Sequence, residues 1–327
     1  MTSSPANTRP VLVRPAPERR APMRSASGRR ASGRRASERR TGRPWTATLL
    51  RAILFLILGL FVLYYTLPLF VMIVTSLKSL DEIHRGSLLG LPQEIELTSW
   101  TTAWGSACVG VSCHGLRPYF WNSIQLAVPA VVISTAIGAI NGYALSKWRF
   151  PGSNAIFGLM LFGCFVPFQV ILLPMAITLG TIGLAGGVSG LILVHVVYGI
   201  GFTTLFFRNY YVTVPDELVK AAKIDGAGFF AIFTQIFLPL SIPVIVVTVI
   251  WQFTNIWNDF LFGVSFSRGG SQPITVALNN IVNSTTGVKE YNVDMASAII
   301  AAIPTLLVYI VAGKYFIRGL TAGSVKG

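Results

Sequence analysis

The stretch that decides the fold is Val214–Pro243, which reads VPDELVKAAKIDGAGFFAIFTQIFLPLSIP. It is amphipathic and charged, and apolar segments long enough to cross a membrane flank it on both sides. Pro215, followed by the acids Asp216 and Glu217, predicts a helix start, because proline fits the first turn and acids favour the positive end of the helix dipole. A soluble helix pair between two membrane spans indicates a surface that seats against another protein.

After Gly226 the same stretch continues with apolar residues spaced three and four apart, which predicts one apolar helix face. These residues are Phe229, Phe230, Ile232, Phe233, Ile236 and Phe237. Pro239 and Pro243 close the unit.

The composition of the chain indicates a membrane protein. Of its 327 residues, 53% are apolar and 12% are charged, whereas soluble domains carry about 25% charged residues. Because about 20 apolar residues cross the roughly 30 Å of hydrocarbon in a bilayer, we predict an all-α integral membrane protein. The six predicted spans are Leu49–Ser76, Phe120–Leu145, Ala155–Leu179, Gly187–Phe207, Leu238–Phe262 and Met295–Ile317.

The positive charge is concentrated at the N-terminus. Residues 1–51 hold 13 Arg and 2 Glu, a net charge of +11 out of +14 for the chain, which argues against a nucleic-acid-binding domain. Residues 1–44 have few apolar side chains to bury and are predicted to be a disordered, Arg-rich cytoplasmic tail. Three interpretations stay open for this tail: contact with anionic lipid headgroups, nucleic-acid binding, or phosphorylation at Ser32 and Ser37.

Orientation follows from the excess of Lys and Arg in cytoplasmic loops. With the N-terminus inside, the inner segments after the tail hold eight cations and the outer segments hold five. We therefore predict that both termini and the Val214–Pro243 loop are cytoplasmic, in the inner membrane of the cell.

The cysteines and one glutamine give further predictions. Cys108 and Cys113 lie in a predicted outer loop, an oxidising place where a local disulfide is plausible. No metal site is predicted, because His114 alone adds too few ligands. In the third span, Gln169 lies between two prolines, which suits a helix beside a pathway that opens and closes.

The fifth span carries a polar stripe. Thr248, Gln252, Asn255 and Asp259 are spaced four, three and four apart, so on a helix they share one face, with Trp251 beside them. Amides, a carboxylate and an aromatic ring suit the hydroxyls and the C–H face of a sugar. Interhelical hydrogen bonding is the alternative interpretation of the stripe.

The spacing of Ala221-Ala222, Gly226, Ile236 and Leu238-Pro239 resembles the EAA loop of permease subunits from bacterial ATP-binding-cassette (ABC) importers. The similarity extends over about Pro44–Gly327 and is greatest to carbohydrate importers, especially glucose/mannose-type members. It implies a type I importer transmembrane domain in which this loop docks on an ATPase subunit. The residues it assigns to ATPase coupling are Glu217, Lys220, Ala221, Ala222, Asp225, Gly226, Ala227, Ile236, Leu238 and Pro239.

One position departs from the resemblance: Lys220 stands where the family has the glutamate that names the motif. A lysine cannot pair with an ATPase arginine as that acid does, so Asp216, Glu217 or Asp225 is the candidate to supply the charge.

The resemblance also implies the partners, which are a second permease, two ATPase subunits, an external sugar-binding protein, the bilayer and the sugar. This chain lacks the phosphate-binding motif G-x-x-x-x-G-K-[ST], so we predict a non-catalytic subunit that binds no cofactor, with ATP and magnesium held by the ATPase subunits. The alternative function is a proton- or ion-coupled secondary transporter that uses Asp259.

Overall fold

The computed structural model describes residues 45–148, 150–284 and 288–324, so the predicted tail at 1–44 lies outside the described residues. The chain divides into two units, residues 1–58 and 59–327. Apart from two isolated β-bridges, Val109–Ser112 and Gly186–Ser267, all regular structure in the described residues is helical. This confirms the predicted all-α fold.

The helices follow one another in this order: α1 Trp45–Ser76, α2 Leu80–Arg85, α3 Thr98–Gly105, α4 Arg117–Lys147, α5 Ser153–Cys164, α6 Phe168–Thr181, α7 Val188–Val212, α8 Asp216–Ile224, α9 Phe229–Ile232, a π-helical turn Phe233–Phe237, α10 Leu238–Leu240, α11 Ile242–Trp257, α12 Leu261–Phe266, a 3-10 turn Gly269–Ser271, α13 Ile274–Val282 and α14 Tyr291–Ser324.

The number of membrane spans agrees with the sequence when bent helices are counted as single crossings. Four described segments are long and apolar enough to span alone: Ala47–Ser76, Arg117–Lys147, Val188–Val212 and Tyr291–Gly313. Two bent pairs also qualify, α5 with α6 at 99° and Phe229–Leu240 with α11 at 77°. Counting each pair as one gives the predicted six.

Two predicted spans are broken rather than continuous. The third span, Ala155–Leu179, is interrupted between Cys164 and Phe168, because Pro167 is extended with a ψ of 123° and disfavours helix in the residue before it. The fifth span, Leu238–Phe262, ends at Trp257. The chain then turns at Asp259, whose carboxylate accepts the backbone N–H groups of Phe262 and Gly263 and so starts α12 as a separate helix.

The centre of the larger unit is the pair α4 and α7, which pack through small residues. A Cβ at Gly142 would lie 2.6 Å from Phe207 Cβ and 2.7 Å from the Arg208 backbone nitrogen, and Gly138 lies directly against Thr203. The backbones therefore approach to a distance that only glycine permits. Gly138 and Gly142 therefore serve the packing of these two helices.

Two hydrophobic cores fill this unit. One includes Trp257, whose indole N–H donates to the carbonyl of Ala301 at 2.8 Å. It lies toward the end that carries the Cys108–Cys113 disulfide, which the sequence left as a plausible pairing. The other joins α4 and α7 to the segment from α8 to α10, which we call the coupling loop (Val214–Pro243).

Candidate functional site

Helix α8 begins where the sequence predicts. Pro215 caps its start, and the acids Asp216 and Glu217 occupy its first turn. The helix ends at Ile224, and Gly226 adopts a φ of +81°, a left-handed conformation that favours glycine. The chain can therefore reverse at Gly226 and return toward the membrane helices.

Helix α8 has one buried residue and a largely exposed outer surface. Val219 is buried in the core of the coupling loop. Ile224 is 86% exposed and Leu218 is 42% exposed, which is unusual for large aliphatic side chains on a polar helix. An outer surface with apolar residues of this size is suited to contact with a partner.

The residues assigned to coupling fall into two groups. Those exposed are Glu217, Lys220, Ala221, Asp225, Gly226, Leu238 and Pro239; those half-buried and packed on the core of the loop are Ala222, Ala227 and Ile236. The first group is available to another protein, and the second holds the loop in shape.

An aromatic cluster fixes the coupling loop to the membrane helices. The ring of Tyr143, on α4, lies 4.8 Å from Phe229, 5.6 Å from Phe233 and 4.8 Å from Phe237, measured between ring centroids. Tyr143 was not among the predicted site residues. The sequence feature that could have identified it is that Tyr143 is the one aromatic residue in the run Ser134–Ser146 of α4.

Four polar contacts also fix the loop. Lys147, at the end of α4, donates to the carbonyl of Val214 at 2.6 Å and pairs with Asp216 Oδ1 at 2.5 Å. The hydroxyl of Tyr211 lies 2.7 Å from Ser241 Oγ, and the hydroxyl of Tyr210 donates to the carbonyl of Leu240 at 2.7 Å. Both ends of the loop are thereby tied to the α4 and α7 pair.

The ion pair between Lys147 and Asp216 bears on which acid of the coupling loop could supply the negative charge of the motif glutamate. Asp216 is turned toward Lys147 within the chain. Glu217 and Asp225 are exposed.

The predicted polar stripe of the fifth span is divided between buried and exposed environments. Thr248 is fully buried, and Gln252 is 2% exposed and donates to the carbonyl of His195 at 3.4 Å, lying directly against Gly199. Asn255 is exposed and donates to the carbonyl of Trp251 at 2.8 Å. The buried half of the stripe therefore packs between helices, which is the alternative interpretation that the sequence left open.

The remaining pathway residues lie in different settings. Asp259 lies beyond the end of α11, so it does not extend the helical stripe, and its Oδ2 is 3.6 Å from Nε2 of the buried His195. Trp251 packs on Phe202 of α7, with 4.8 Å between ring centroids. Gln169 is exposed on α6. Asn255 and Gln169 are the predicted pathway amides that remain accessible.

These features define a class of protein: a multi-pass membrane subunit with a polar loop built to seat on a partner. Residues 134–320 match the family described as binding-protein-dependent transport system inner membrane component. The chain belongs to this family and is a permease subunit of an ABC importer.

Two relatives and one solved structure illustrate the match. The chain is 50% identical to a probable ABC transporter permease of Pyrococcus horikoshii over 188 residues, which cover 57% of this chain and 68% of the relative. It is 30% identical to the xylose/arabinose import permease XacI of Haloferax volcanii over 278 residues, 79% of this chain and 87% of the relative. The fold resembles a bacterial ABC transporter involved in import of the acidic polysaccharide alginate, with a TM-score of 0.72, 20% identity, and coverage of 83% of this chain and 98% of that chain.

Proposed function

We propose that this permease subunit forms half of the translocation pathway of an ATP-driven carbohydrate importer and is moved by a separate ATPase through the coupling loop. The observation that carries the proposal is the geometry of that loop. Its outer surface exposes Ile224 and Leu218, while Tyr143 and Lys147 bind its inner side to α4. A force applied to the exposed side is passed to the α4 and α7 pair, because the contacts between them are direct.

The partners follow from this role. The subunit pairs with a second permease, two ATPase subunits that hold ATP and magnesium dock on the cytoplasmic side, and an external sugar-binding protein delivers substrate on the other side. Support comes from the family, whose description names binding-protein-dependent transport. Both termini and the coupling loop face the cytoplasm in this arrangement, as the cation distribution predicts.

The substrate is proposed to be a monosaccharide, of the glucose/mannose or pentose type, or a small oligosaccharide. The named function of the xylose/arabinose permease relative supports a sugar. In the pathway, Asn255 and Gln169 offer exposed amides and Trp251 lies beside Asn255, whereas Thr248 and Gln252 act through packing. Asp259 holds the start of α12 and shapes the pathway wall.

The test is sugar uptake by the complete transporter in proteoliposomes with ATP inside. We expect Asn255→Ala to raise the half-saturating sugar concentration about tenfold, the order of effect of one lost polar contact, with the same amount of ATPase co-purified. Gln125→Ala, which removes an exposed amide from α4, is the matched control and should behave as wild type. Unchanged uptake by the Asn255 variant would assign that residue to packing.

A further inference from the structure

A cavity of about 300 Å³ lies between the end of α4 and helix α8. Lys147 and Trp148 line it from the α4 side, and Asp216, Lys220 and Lys223 line it from α8. Its walls are therefore rich in positive charge, and Lys220 and Lys223, which line it from α8, are also exposed to solvent.

The charges in this cavity do not balance. Lys147 is neutralised by Asp216, the single acid in the cavity lining. Lys223 places its ammonium 4.0 Å above the ring of Trp148, a cation–π contact that orients the charge without cancelling it. Among the described residues, no carboxylate forms an ion pair with Lys220 or Lys223, so two positive charges face the cavity.

The surroundings favour a protein as the source of the missing negative charge. Ile224, one turn from Lys220 on the same helix, is 86% exposed, and contact with a folded partner would remove it from water. An acidic side chain of that partner, entering the cavity, would meet both lysines, and the ion pair would be stronger than at an open surface because the partner would exclude water from it.

We propose that the cavity between α4 and α8 receives an Asp or Glu side chain of the ATPase subunit, which pairs with Lys220 and Lys223. The inference rests on the proposed docking of the coupling loop and adds which side carries which charge: the permease supplies the cations, and the ATPase subunit supplies the acid. Lys220 then pairs with an acid of the ATPase subunit, and no neighbouring acid of this chain needs to take the role of the motif glutamate.

Zero-length crosslinking of the complete, co-purified transporter tests this pairing. A carbodiimide joins a lysine Nζ to a carboxyl carbon as an amide, and the water lost is taken up by the carbodiimide as a urea. We expect mass spectrometry to find Lys220 or Lys223 joined to an Asp or Glu of the ATPase subunit.

Variants separate charge from structure. Lys220→Arg/Lys223→Arg keeps the positive charge but lacks the reactive amine, so it should lose the crosslink and retain more sugar-stimulated ATP hydrolysis than the double Gln variant. Lys220→Gln/Lys223→Gln should lower sugar-stimulated ATP hydrolysis about tenfold, the order of effect of losing a close charge pair across a protein interface. Asn209→Asp, an exposed change near the end of α7 and outside the cavity, is the charge control and should leave hydrolysis unchanged.

The outcomes distinguish this inference from the proposed function. If the complex transports sugar but neither Lys220 nor Lys223 is crosslinked to the ATPase, and the double Gln variant keeps its rate of ATP hydrolysis, the acidic pairing is wrong. The docking role of the coupling loop then remains intact. A complex from which the ATPase is absent overturns the docking role itself. If no protein crosslink forms and the double Gln variant changes only the response to anionic phospholipid in the vesicles, the cavity holds a lipid headgroup and the inference is wrong.

Discussion

Single residues set how closely the two central helices approach. At Gly142 there is no room for a side chain, since a Cβ would fall 2.6 Å from Phe207 Cβ and 2.7 Å from a backbone nitrogen that cannot move independently. Gly158, on α5, is a helical glycine with no atom within 4 Å of the position a Cβ would take. The same substitution at these two positions therefore separates steric effects from the general effect of replacing glycine.

We expect Gly142→Ala to destabilise the subunit by about 1–3 kcal/mol, the usual effect of overpacking. Gly158→Ala should be neutral or stabilising, because alanine is the better helix former by roughly 0.5–1 kcal/mol. Thermal unfolding of the purified transporter measures both. Equal unfolding temperatures for the two variants would show that α4 and α7 can separate to accept a methyl group.

The polar stripe shows which part of the site the sequence could predict at this scale. Helical spacing correctly indicated that Thr248, Gln252 and Asn255 lie along α11. It could not indicate that α7 covers Gln252 through the close approach at Gly199, because burial depends on a neighbouring helix distant in the chain. Asp259 left the stripe because its carboxylate caps the next helix.

Among the elements, the coupling loop was the most predictable from local sequence. The proline and acids at 215–217 marked the start of α8 through their backbone preferences, and Gly226, with its positive φ, lies just beyond the end of the helix. Two long-range contacts could not be predicted in this way: the ion pair between Lys147 and Asp216, and the packing of Tyr143 on Phe237. Each joins positions 69 or more residues apart, so no local sequence pattern encodes it.

At the element scale, Gly226 tests docking at a position where an added side chain would meet no other atom of the chain. Its left-handed φ of +81° is strained for most residues, but no atom lies within 4 Å of a Cβ, so a side chain there would point to open space. We expect Gly226→Trp to uncouple ATP hydrolysis from uptake, lowering sugar transported per ATP by about tenfold, because a large group would occupy the docking surface.

Gly226→Asn is the matched control for that variant. Asparagine tolerates a positive φ better than other side chains and adds little volume, so the control measures the backbone cost alone, about 1 kcal/mol. It should remain coupled. Normal transport per ATP in the Trp variant would remove Gly226 from the docking surface.

At the scale of the whole molecule, the described residues expose apolar surface that lipid or other protein subunits would cover. Apolar side chains on the part of α1 within the larger unit are exposed, among them Phe61 at 54% and Leu63 at 65%. The sequence predicted this surface as part of a membrane span, since 53% of the chain is apolar. The N-terminal tail lies outside the described residues, and its disorder stays a prediction.

Removal of residues 1–40 should leave sugar uptake within about twofold of wild type, because arginines near anionic headgroups add membrane affinity of roughly 1 kcal/mol each and no transport step. Uptake in vesicles of equal protein content measures the effect. A truncated protein that assembles with its partners but does not transport would assign the tail a functional role.

The central claim is that the coupling loop faces the cytoplasm and docks on a separate ATPase, and labelling of the Ile224→Cys variant in a Cys164→Ser background tests it most directly. Position 224 is 86% exposed, so a membrane-impermeant maleimide should label it in inside-out vesicles stripped of the ATPase. Labelling should fall when the ATPase subunits are bound and should be absent in right-side-out vesicles. Labelling from the outside, or equal labelling with and without the ATPase, would contradict the claim.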